Sequence, residues 1–221
     1  MESEETQTGP LESKAFDLLA AGNVSAAVAA ITAIADTEAA LEALAQLCKR
    51  AYLDLKNVPT MTAIAWETVG FGLKCAHDSP DPESASRYKG RARAIAYNAG
   101  ANCWPGWGDA VEIKPADIAE GLKLAERSYE LVGELGLGDK AISTSLWLVG
   151  ALQMATGRLS TAIAQIGRIL PERGIEALKL RGLGGHIISP PKWESLPFTP
   201  ESELLSLHAP DGVHRRHPSS G

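Results

Sequence analysis

Arg87, Arg91, Asn98 and Asn102 recur at a spacing that gathers them on one side of a helix, in a stripe about 60° wide at ~100° per residue. The run that begins this stripe, Ser86-Arg87-Tyr88-Lys89-Gly90-Arg91-Ala92-Arg93, is basic, in a chain whose net charge is −6. Guanidinium forks and amide donors converging from one helix face suit a carboxylate or a phosphate. The competing reading is a solvated face supported by i,i+4 neighbours. A second candidate is the loop Cys103-Trp104-Pro105-Gly106-Trp107. Trp104 and Trp107 are large enough to anchor a partner. They could equally plug the top of a helical hairpin, with Pro105 and Gly106 shaping the turn. Trp147 shares its helix face with Thr144, Ala151 and Met154, and is expected either in the core or as the floor of a groove.

Covalent and metal chemistry find little support. Cys48 and Cys75 fall on or beside apolar helix faces, where a thiol behaves as a small hydrophobe. His77 follows Cys75 closely, but Cys103 is distant, and no metal-ligand spacing emerges. His214 and His217 flank Arg215-Arg216 and make only a weak pattern. GxSxG, HExxH, P-loop and GxGxxG contexts are absent, and Gly182-Leu183-Gly184-Gly185 does not follow a strand. Asp81 and Glu83 read as helix caps. With no nucleophile–base pair to name, the expectation is a non-enzymatic protein without metal or cofactor. The acidic balance, with a pI near 5.4, argues against a general nucleic-acid coat. The longest apolar stretch, Ala26 to Ala35, is too short to cross a bilayer, so no membrane span is expected. Met1-Glu2-Ser3-Glu4-Glu5 lacks the features of a secretory signal. Three cysteines without CxxC spacing favour a reducing compartment, hence the cytoplasm.

The elements that must position these residues are helices. Residues 1–10 read as a disordered acidic N-terminus, 11–181 as a helical domain, and 182–221 as a Pro/Gly-rich extended arm with a disordered end. Helices are expected over about Thr37–Lys56, Pro59–His77, Ser84–Gly100, Pro115–Leu135, Asp139–Thr156 and Ser160–Leu170. A further short one is expected over Glu172–Leu180. Leu41, Leu44, Ala45, Cys48, Ala51, Tyr52 and Leu55 trace the core face of the first of these. Met61, Ile64, Ala65, Val69 and Gly72 trace that of the second. Asp36 and Asp81 supply N-terminal caps, and β-strand alternation is nearly absent.

Two segments share a pattern. Leu19-Ala20-Ala21-Gly22-Asn23-Val24-Ser25-Ala26-Ala27-Val28, followed by Ile31, parallels Met154-Ala155-Thr156-Gly157-Arg158-Leu159-Ser160-Thr161-Ala162-Ile163, followed by Ile166. Gly22 and Gly157 permit a positive-φ turn between antiparallel helices, and Ala27 and Ala162 allow close backbone approach. With Leu146, Val149, Gly150 and Gln153 preceding the second segment, the pattern resembles the tetratricopeptide repeat (TPR) family, in degenerate form and with longer steps than the family's 34 residues. That resemblance implies an all-α, right-handed stack of about four antiparallel helix pairs with a concave groove that binds peptides or proteins. Arg87, Arg91, Asn98, Asn102 and Trp147 would then meet an acidic or carboxylate-terminated segment. Two other readings stand beside this one. The chain could be a structural homo-oligomer subunit linked by its arm, or could hold a small anion or an enzymatic site near the Trp-Pro-Gly-Trp loop.

Overall fold

The computed structural model describes residues 5–108 and 110–169. The short helix expected at 172–180, the arm 182–221 and the histidines at its end lie outside the described residues. Among the described residues eight α-helices follow one another: α1 (Glu5–Ala20), α2 (Val24–Thr32), α3 (Thr37–Leu53), α4 (Val58–Asp78), α5 (Pro82–Asn102), α6 (Pro115–Glu134), α7 (Asp139–Ala155) and α8 (Leu159–Ile169). A single 3-10 turn, Pro105–Trp107, separates α5 from α6. Among the described residues every regular element is helical, as the sequence periodicity implied. None of these helices is long and apolar enough to cross a membrane.

The helix starts are fixed by short polar side chains that satisfy otherwise orphaned backbone donors. The Asp36 carboxylate accepts from the backbone N–H of Glu38 at 2.8 Å and of Ala39 at 3.2 Å. Asn57 accepts from the N–H of Thr60 at 3.0 Å, and Asp81 from those of Glu83 and Ser84. Asp117 reaches back to the Lys114 N–H at 2.8 Å. Pro59, Pro82 and Pro115 occupy first-turn positions, where the missing N–H costs nothing. The N-terminus departs from expectation: α1 begins at Glu5, inside the stretch read as a tail, and Pro10 lies within it. Gly9-Pro10 looks like a breaker in sequence. Within a helix a proline removes one ladder bond and crowds the carbonyl four residues back, yet helical turns can still form on either side.

The two repeat-like segments close their hairpins in the same way. Gly22 has φ +82° and Gly157 φ +77°, both left-handed. The N–H of Asn23 returns to the Leu18 carbonyl at 2.9 Å, and that of Arg158 to the Gln153 carbonyl at 2.8 Å. These are the reverse bonds of a helix that ends in a left-handed residue and hands over to an antiparallel partner. Ala27 and Ala162 are fully buried.

Each helix packs on the next in sequence, and each of α1 to α5 also touches the one after that. The contacts thus join helices that are near neighbours in sequence. Leu41, Leu44, Cys48, Ala51 and Tyr52 of α3, and Met61, Ile64, Ala65 and Val69 of α4, are buried as their spacing requires. Ala45 and Leu55 are half-buried at the margin. The tightest joint lies between α5 and α6. A Cβ on Gly100 would come 2.9 Å from the Gly121 carbonyl oxygen, and one on Gly121 would overlap the Cys103 side chain. Backbone cannot yield there as a flexible side chain could. Gly121→Ala is therefore expected to destabilise the chain by about 1–3 kcal/mol through overpacking. Urea unfolding of that variant beside Gly133→Ala, where nothing lies within 4 Å of the added methyl, checks the prediction.

Candidate binding face

The basic stripe is built on α5, and α3 lies against it. Arg87 Nε donates to Glu38 Oε1 at 3.3 Å, its Nη1 to Glu83 at 3.0 Å, and its Nη2 to Ser84 Oγ at 2.8 Å. Arg91 Nη1 donates to Glu42 Oε2 at 3.3 Å, and its Nε lies 3.5 Å from Glu38 Oε2. Glu38 therefore bridges both arginines. The pairs Glu38–Arg87 and Glu42–Arg91 share one sequence offset, 49 residues. An offset shared by these two pairs, rather than a shared sum, agrees with α3 and α5 running parallel. Alternate helices of a stacked hairpin array have this relation.

The remaining stripe residues are placed differently. Asn98 is half-buried two turns beyond Arg91. Asn102 turns toward α4, with Nδ2 3.6 Å from Met61 Sδ. The arginines are thus brought together with acidic partners that inspection of α5 alone does not reveal. A signal for them was present: Glu38 and Glu42 stand four apart on one helix, as Arg87 and Arg91 do on another. An incoming carboxylate must displace Glu38 or Glu42, whose side chains are about a third or more exposed.

Trp104, Trp107 and Trp147 come together in one cluster. Trp104 meets Trp107 edge-on at 4.9 Å between ring centroids and Trp147 edge-on at 5.4 Å. Trp107 lies 6.4 Å from Trp147 and donates its indole N–H to the Ala101 carbonyl at 2.6 Å. These separations are those of favourable aromatic packing. The loop thus seats on α7 through Trp147, and Trp104 is buried. In the sequence the loop and Trp147 lie 40 residues apart, and no local pattern joins them.

All three thiols are raised above the ordinary cysteine value. Burial pushes Cys48 up to about 12, and its Sγ–H donates to the Met61 carbonyl at 3.4 Å. Cys103 is raised by burial and then by the nearby carboxylate of Asp117. Cys75, half-buried, is raised by burial and by Asp78. Among the described residues, no three His, Cys, Asp or Glu side chains gather closely enough to hold a metal ion. No family model matches the chain, nor does any curated protein or solved structure.

Two outcomes are expected. In a double-mutant cycle on Glu42→Gln and Arg91→Gln, the coupling should be about 1 kcal/mol or less, as for partly solvated pairs. It should shrink as salt is raised from low ionic strength to 1 M. The alkaline limb of stability supplies the second. Cys48 and Tyr97 titrate near 12 when folded, against ordinary values of 9.0 and 10.0. The folded chain therefore keeps protons that the unfolded chain loses, and stability falls as pH rises above 9. The slope is at most about 1.4 kcal/mol per pH unit for each group. Urea midpoints measured from pH 8 to 11 check this.

Proposed function

We propose that the chain is a non-catalytic binding scaffold. In this reading it is a right-handed, TPR-like stack of hairpins that holds a peptide or protein segment across the face where α3, α5 and α7 stand side by side. The observation that carries the reading is the in-register pairing of Glu38 and Glu42 with Arg87 and Arg91. Parallel alternate helices present an elongated, rigid face, so a bound segment loses little affinity to ordering of its receptor. The arginines on that face are already oriented by their glutamates. A segment with acidic side chains or a free carboxylate terminus exchanges one carboxylate partner for another, at modest desolvation cost. The raised thiols and the self-packed tryptophans support a recognition role over a chemical one. The three cysteines are free, which suits a reducing, cytoplasmic setting.

The test uses a library of acidic peptides with free C-terminal carboxylates, titrated at low ionic strength. Glu38→Gln/Glu42→Gln should tighten binding about tenfold, a difference of about 1.4 kcal/mol, because the competing carboxylates are gone. Arg87→Ala/Arg91→Ala should abolish it while the helical circular-dichroism signal persists. Equal affinity across these variants removes the stripe from the mechanism.

A further inference from the structure

The three clustered tryptophans are not equivalent. Trp107 uses its one polar group inside the fold, donating its indole N–H to the Ala101 carbonyl at 2.6 Å. Trp104 is buried, and its ring lies so close under the loop backbone that a Cβ on Gly106 would overlap it. Both loop indoles therefore serve the turn that carries them. Trp147 comes from α7 instead. It packs edge-on against Trp104 yet stays half-buried, as does Thr144 one turn before it. Among the described residues no group accepts a hydrogen bond from its indole N–H, and this nitrogen is not shut off from solvent. An indole buried in a core pairs its N–H with an acceptor. Trp147 instead offers a flat apolar surface and an open donor side by side, the combination that anchors a partner.

Its place relative to the arginines sets the length of what it can share with them. The Trp107 indole ties the cluster to Ala101, ten residues beyond Arg91 on α5. That is about 15 Å along the helix. An extended chain rises ~3.3 Å per residue, so about four residues cover the span. We infer that the segment held on this face carries two anchors: a carboxylate at Arg87 and Arg91, and, about four residues away, a large apolar side chain that lies on the open side of Trp147. This rests on the α3–α5 face being the one that binds, and it adds what the partner must carry at its other end. Trp147 is then a specificity-determining residue, whereas Trp104 and Trp107 hold the turn that seats against it.

Synthetic peptides with acetylated N-termini, titrated into the full-length chain at low ionic strength, test the inference. One has the order Phe-Gly-Ser-Gly-Asp with a free C-terminal carboxylate, and one has the reverse order with an amidated C-terminus. A control for each replaces Phe by Gly. In at least one order the Phe peptide should bind about tenfold more tightly than its control, the scale for covering a large apolar side chain. Trp147→Ala should bring that peptide down to the affinity of its control. A second readout does not depend on how this variant folds. In nuclear magnetic resonance spectra of the unaltered chain, the Trp147 indole N–H signal should move on saturation with the Phe peptide, and move less with the control. Equal affinity of each Phe peptide and its control overturns the inference, and so does a Trp147 signal that stays in place at saturation. If the controls still bind, and Arg87→Ala/Arg91→Ala abolishes that binding, the arginine reading stands while this one falls. Absence of binding by all four peptides removes the face itself, and the inference with it.

Discussion

Where α5 passes α6, the backbone of Gly100 faces that of Gly121, and Cys103 fills the space beside Gly121. One turn of slip between these helices would drive a side chain into a carbonyl. Gly72 makes a milder version of the same joint on the other side, close to Ala92 and the Tyr88 carbonyl. α5 is therefore gripped on both flanks by contacts that tolerate little shift. Its height fixes where Arg87 and Arg91 stand opposite α3, and where the loop after α5 delivers its indoles to α7. Dispersion and burial supply most of the stabilisation in such a seam, but the small residues set its register.

The ion pairs on the α3–α5 face are a consequence of that register. Glu38 serves two guanidinium groups, and Arg87 is further held by Glu83 and Ser84 on its own helix. A partly solvated network of this kind contributes modestly to stability. It does more to hold long side chains in defined positions, which a binding surface needs. The tryptophan cluster does the corresponding work at the other end of α5. It seats a Pro-Gly turn against α7 and so joins the third hairpin to the fourth.

Most of the helical layout was legible in the sequence, because each helix carries both a period and a punctuation mark. Asp36, Asn57, Asp81 and Pro115 stand at helix starts, and Gly22 and Gly157 stand in the hairpin turns. α1 was the exception, since Gly9-Pro10 carries the signature of a stop, and a stop signal in sequence reports preference rather than outcome. At the candidate face, the arginine stripe was legible and its partners were not. Glu38 and Glu42 become neighbours of α5 only once α3 and α5 are known to be parallel, and helical periodicity says nothing about which helices meet. The same blindness separated Trp147 from Trp104 and Trp107. Their contact depends on the loop folding toward α7, and a Pro-Gly turn alone specifies no direction.

Among the described residues the main helix contacts join near neighbours in sequence, so few long loops close as these helices fold. Such a topology has low contact order, and topologies of that kind collapse quickly. The close glycine contacts from α4 to α6 make that stretch the expected place for early structure, with α3 and α7 adding to its two sides as a zipper adds teeth. Opening is expected to run the other way, from the ends inward, with the outer hairpins exchanging with solvent before the centre does.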